Sequence, residues 1–168
     1  MKKTILLATG MIFIICVNVS AQRNATKRGS ISTNSSNYTT ALGIKFLDGA
    51  GVTLKHFVNE KAAIEGIGYF WNRGARITGL YELHFDIAGA DGLKWYIGPG
   101  AHIGFYNNKY FGKNANRSFG GIDGVLGLDY KVKSAPLNFS LDWQPSFEFG
   151  EDRGFIGSWG GFAIRFTF

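Results

Sequence analysis

The sequence predicts an all-β fold, an eight-stranded antiparallel up-and-down transmembrane β-barrel over residues 38–168. Three observations predict it. The composition is rich in aromatics (15%) and in glycine (24 residues) but holds only 3 prolines. Apolar and polar residues alternate with period two along segment after segment. The chain also opens with an export leader.

A length of 168 residues suggests one domain. The glycines are scattered through apolar runs rather than gathered in a linker, which favours many short strands with turns. Mean hydropathy is −0.01, a value typical of soluble proteins. A transmembrane barrel has the same average, because only alternate residues face lipid.

The leader is residues 1–21. Met1, Lys2 and Lys3 form a basic start, and a predominantly apolar stretch runs over residues 5–19. It ends in Val19-Ser20-Ala21, where small residues fill the positions that signal peptidase requires, with cleavage expected after Ala21. The apolar stretch is short for a helical span. Cys16, the only cysteine, follows Ile14 and Ile15 rather than small residues, so lipidation is not expected. The mature chain then has no cysteine and no disulfide. Loss of Lys2 and Lys3 takes the formal charge from +6 to +4, and Arg23, Lys27 and Arg28 carry three of those charges. The high isoelectric point therefore belongs to the ends, and no nucleic-acid partner is implied. Residues 22–37, rich in Ser, Thr, Asn, Arg and Lys, read as a disordered periplasmic tail.

From residue 38 the strands are expected at 38–47, 52–58, 63–71, 76–87, 93–106, 120–132, 137–149 and 155–168. Turn residues separate them, among them Asp48-Gly49, Asn59-Glu60, Asn72-Arg73-Gly74, Asp91-Gly92 and Ser134-Ala135-Pro136. The single long connection is 107–118. Pro99 and Pro145 fall inside strands, where they call for a bulge or a strand end. Glycines such as Gly43, Gly98 and Gly127 lie within strands with no following helix, so they relieve crowding in a curved sheet rather than cradle phosphate.

Alternation chooses the kind of barrel. In the seventh strand Leu137, Phe139, Leu141, Trp143, Pro145, Phe147 and Phe149 oppose Asn138, Ser140, Asp142, Gln144, Ser146 and Glu148. The fourth and sixth strands repeat the pattern. Each run approaches the roughly 9–11 residues that a tilted strand needs to cross a bilayer. A soluble lipocalin-like binding barrel would turn its apolar set inward, and so small an interior cannot hold this many large rings. Turned outward, the rings form a lipid-facing belt. An even strand number puts both termini on one side, taken as periplasmic. The long connection then falls on the extracellular side.

These residues resemble the small eight-stranded bacterial outer-membrane barrels of the OmpA/OmpX structural type. The resemblance covers 38–168 and rests on the leader, the strand number and the ending Phe162-Ala163-Ile164-Arg165-Phe166-Thr167-Phe168. It implies that Phe162, Ile164, Phe166 and Phe168 are the signal read by the barrel-assembly machinery. It also implies a cell outer-membrane location, with lipid and lipopolysaccharide as surroundings. It does not fix an activity.

The inward set is charged: Lys45, Lys55, Glu65, Glu82, Asp86, Lys94, Asp123, Asp129, Lys131, Asp142, Glu148 and Arg165. Charges in a narrow lumen need partners, which predicts an interleaved salt-bridge network. Hairpin registers place Lys55 opposite Glu65 and Asp86 opposite Lys94, and Arg165 is expected to reach Asp142. A filled lumen with a structural or surface-interaction role is the leading expectation. A narrow small-solute channel is one alternative. A lipid A hydrolase or acyltransferase using His84 or His102 with Ser140, Asp142 and Glu82 is another. No nucleophile elbow, paired-carboxylate motif or metal-ligand spacing supports the enzyme, and no cofactor is expected. In the long loop, Lys109, Tyr110, Phe111, Lys113 and Arg117 form a candidate surface for anionic lipopolysaccharide. A closed barrel has no edge that demands a partner, so a monomer is expected.

Overall fold

A computed structural model describes residues 38–46, 49–72, 74–106, 118–149 and 153–168. The expected leader and tail, and all five long-loop residues named above, lie outside them.

The described chain is all strand and turn. Ten strands run in order: β1 (Thr40–Phe46), β2 (Ala50–Phe57), β3 (Ala62–Trp71), β4 (Gly74–Asp86), β5 (Leu93–Tyr106), β6 (Ser118–Lys131), β7 (Leu137–Trp143), β8 (Ser146–Phe149), β9 (Phe155–Ile156) and β10 (Gly160–Thr167). Every pairing is antiparallel. The sheet order is β5-β4-β3-β2-β1-β10-β7-β6-β8-β9, and β5 also pairs with β6, which closes the sheet on itself. β7 with β8 forms one stave and β9 with β10 another, so the ten segments make a closed eight-stranded antiparallel barrel. Closure pairs the first strand with the last, from Ala41 opposite Thr167 to Phe46 opposite Phe162.

The expected hairpin registers hold: Lys55 faces Glu65 and Asp86 faces Lys94. The two strand prolines are accommodated differently. Pro99 lies opposite Gly124 without displacing the β5–β6 register. Pro145 divides β7 from β8. The register against β6 continues through it, and its carbonyl accepts from the Gly124 amide at 2.8 Å. On the other side the stave is disturbed. Gln144 N–H donates to Trp159 O at 2.9 Å, while Ser146 already faces Ile156, so Gly157 and Ser158 together stand opposite Pro145 alone. This two-against-one arrangement is a β-bulge, placed where proline has no N–H to give the ladder. The expected single strand over 155–168 is therefore two segments. The extra residue also reverses the facing, so Phe155 and Phe162, an odd number of residues apart, both point outward.

Facing divides the wall. Inward positions of β2 are Thr53 and Lys55; outward ones are Val52 and Leu54, 54% and 48% exposed. The outward face carries aliphatic residues at mid-height, such as Ile44, Leu54, Ile77, Ile97, Ile122 and Leu126. Aromatics gather toward both ends. Phe46, Phe70, Phe105 and Phe149 lie near the long-loop end, and Phe85, Trp95, Tyr130 and Phe168 near the terminal end. Phe85 and Trp95, on adjacent strands, stack at 4.5 Å.

Candidate functional site: the buried ionic interior

Inside the barrel the side chains fall into two groups separated by an apolar layer.

The group toward the chain termini is a continuous ionic network. Lys55, reaching in from β2, places its Nζ 2.7 Å from Glu82, 3.3 Å from Glu65 and 3.5 Å from Asp129, and lies 4.3 Å from the centre of the Tyr96 ring. Arg165 from β10 meets Glu65 at 2.5 Å and donates to Ser140 Oγ, Asn138 Oδ1 and Thr53 Oγ1 at 2.7, 3.2 and 3.2 Å. Lys45 binds Asp142 at 2.5 Å, and the same carboxylate accepts from Tyr96 OH at 2.7 Å and Gln144 Nε2 at 2.9 Å. Asp129 accepts from Asn138 at 2.7 Å and Tyr38 at 3.3 Å. His84 sits 2.9 Å from Glu82 through Nε2 and stacks on Tyr96. Lys45, Lys55, Glu65, Glu82, Asp129 and Arg165 are each at most 1% exposed. Buried charges survive only when paired and hydrogen-bonded, and here one strand supplies the cation and a strand across or beside it the carboxylate.

The apolar layer is Ile67, Leu80 and Val125, with Tyr69 and Tyr96 against it. Glycines make room for these larger groups. A Cβ on Gly100 would meet Leu80, and one on Gly127 would meet the Tyr96 ring.

Toward the long-loop end, Arg76 binds Asp123 at 2.5 Å, and His102 Nδ1 lies 3.0 Å from the same carboxylate. His102 Nε2 is 3.7 Å from Glu148, which Arg153 meets at 2.9 Å. Above this chain sit the rings of Tyr69, Trp71, Tyr106, Phe119 and Trp159, in edge and tilted contacts.

Of the charges expected in the lumen, Lys45, Lys55, Glu65, Glu82, Lys94, Asp123, Asp129, Asp142, Glu148 and Arg165 are buried within it. Three expectations need correction. Asp86 has the inward parity, but it closes β4 at the rim, where its side chain is 67% exposed and meets Lys94 at 3.3 Å. Lys131 ends β6 in the same way and donates to the carbonyls of Val132 and Ala135. Arg165 does not reach Asp142: Lys45 holds that carboxylate, and Glu65 takes Arg165. Adjacent-strand reasoning picks the wrong partner because the barrel stagger brings β3 across to β10.

The histidines do not assemble with serine. Ser140 is bound to Arg165, and His84 and His102 face Glu82 and Asp123. No cluster of three or more metal-ligating side chains occurs among the described residues. Arg76 and Tyr96 are interior residues that sequence reading missed. Parity points to both, since Arg76 shares its face with Thr78 and Glu82, and Tyr96 with Lys94. The terminal set Phe162, Ile164, Phe166 and Phe168 points outward from β10, 41%, 40%, 54% and 65% exposed.

No protein-family model, curated protein or solved structure matches this chain.

Proposed function

We propose that the protein is an integral outer-membrane β-barrel with a structural or surface-interaction role, exported by the leader and sealed by its ionic interior. One observation carries the reading: polarity is inverted across the wall. Among the described strand residues, every Asp, Glu, Lys and Arg has the inward parity, and all but the strand-end residues Asp86 and Lys131 are buried. The outward positions carry residues such as Ile122, Leu141, Phe147 and Phe166, each at least 50% exposed. Soluble monomers rarely expose an apolar patch above a few hundred Å². A belt around the whole barrel with aromatics at both ends suits lipid. A lipocalin-like barrel has the opposite facing.

In this reading the role lies in the wall and its exposed connections. Lysines, arginines and carboxylates interlock across the lumen, so the interior favours a sealed barrel over a solute channel. The pairing of His84 and His102 with carboxylates rather than serine gives no support to hydrolase or acyltransferase chemistry. The barrel-assembly machinery is the expected partner in biogenesis, reading Phe162, Ile164, Phe166 and Phe168. Lipopolysaccharide is the expected neighbour of the long loop. A closed barrel needs no second copy.

The test is fractionation of cells expressing the full chain. The protein is expected in the outer-membrane fraction, resistant to carbonate extraction, with a gel mobility that changes on boiling. A soluble product with one mobility would overturn the membrane reading.

A further inference from the structure

We propose that residues 153–159 form a strap that closes the long-loop mouth over a polar vestibule and opens as a unit. The strap is fastened along one edge. β9 makes two register pairs, both with β8. Its flanks add backbone bonds from Glu148 N–H to Gly154 O and from Gln144 N–H to Trp159 O, and the Trp143 indole donates to Gly157 O at 2.7 Å. All these ties go to the β7–β8 stave. On the other side the β1–β10 ladder ends at Phe46 opposite Phe162, and among the described residues no backbone hydrogen bond joins 153–159 to the β1–β2 hairpin. The bulge opposite Pro145 interrupts the ladder at the strap's base. Gly160, with φ of 143°, ends the strap in a conformation that residues with a Cβ rarely adopt.

Two strap side chains cross the mouth. Trp159 packs at 5.8 Å on Tyr69 and 5.4 Å on Trp71, both on β3, and the Arg76 guanidinium from β4 lies 4.2 Å from its ring. Arg153 grips Glu148 and lies 5.3 Å from Phe119 and 5.8 Å from Tyr106. Below them, the polar side chains of Arg76, His102, Ser146 and Glu148 are buried. Two opposing terms therefore meet here. Ring burial and cation–π contact favour closure. Attachment along one edge, with the bulge interrupting the ladder at its base, favours opening. An element held on one edge between such terms has two accessible states. The vestibule offers guanidinium, imidazole, hydroxyl and carboxylate groups, with Arg76 set against Asp123 and Arg153 against Glu148. This balance suits water and small uncharged polar solutes.

The test uses thiol accessibility in the purified, folded chain, and it holds whether the barrel lies in lipid or in water. Cys16 is the sole cysteine, so Cys16→Ser gives a silent background. Ser146→Cys reports on the vestibule and Ala163→Cys on the ionic network, both read with a charged water-soluble thiol reagent. Trp159→Ala is expected to speed labelling at Ser146→Cys by at least about tenfold, the change that about 1.4 kcal/mol in the opening equilibrium produces. Arg153→Ala is expected to act in the same direction, with Ala163→Cys slow throughout. Equal labelling with and without Trp159, fast labelling in the parent, or matching acceleration at Ala163→Cys, which signals general loosening, would overturn the strap.

Discussion

The two faces of each strand solve opposite problems with the same backbone. On β2, Val52 and Leu54 stand free on the outside, while Thr53 and Lys55, one residue away, are fully buried. The outer face is uniform in class and makes few specific contacts: large apolar side chains such as Val52, Leu54, Ile77 and Ile122 stand 48–59% exposed. The inner face is strict in detail. Each charge has a named partner, and Arg165 alone is shared among Glu65, Ser140, Asn138 and Thr53. The difference teaches that specificity in this molecule lies inside, whereas the outside sets the solvent it accepts.

The largest expected effect breaks the inner face. Arg165→Met removes the nearer cation from buried Glu65, leaving Lys55 at 3.3 Å as its remaining one, and should destabilise the barrel by about 3 kcal/mol in urea unfolding. The paired change Arg165→Met with Glu65→Gln should recover much of that loss. Equal losses would mean that the network is not coupled.

Next comes the outer face. Leu54→Arg, mid-belt, should cost about 2–4 kcal/mol when the barrel is folded into lipid vesicles, and Val58→Arg, beyond the end of β2, about 0–1 kcal/mol. A water-exposed wall would show no depth dependence, with both changes within roughly 0.5 kcal/mol.

A third change probes the backbone between the faces. A Cβ on Gly98 would run into the Tyr81 carbonyl of β4. Gly98→Ala should therefore cost about 1–3 kcal/mol, while Gly79→Ala, which meets open space, should cost little. The smallest effect belongs to the rim. Asp86→Ala removes a largely exposed rim carboxylate from a buried partner, Lys94, and should change stability by about 1 kcal/mol.

The fold was legible because period two is a local property, repeated in every strand and punctuated by turn residues. The charge-bearing face was legible for the same reason. Partner choice across the lumen was not, since it depends on stagger accumulated around the closed sheet. That is how Arg165 comes to meet Glu65 on β3 rather than Asp142 on neighbouring β7. Rim residues such as Asp86 and Lys131 have inward parity without burial, because parity says nothing about depth. The bulge left a readable trace: Phe155 and Phe162 are seven residues apart, so an unbroken strand cannot turn both outward. Arg76 and Tyr96 were overlooked at a strand start and within an aromatic run, although their parity was correct.

The central claim is that the wall separates lipid from a packed polar interior. The most direct measurement places a spin label at Val52, Thr53, Leu54 and Lys55 in turn, in the cysteine-free chain folded into vesicles, and reads collision with lipid-soluble oxygen and a water-soluble nickel complex. The account predicts high oxygen and low nickel collision at Val52 and Leu54, and low collision with both at Thr53 and Lys55. High nickel collision at Val52 and Leu54 would place the outer face in water and contradict it.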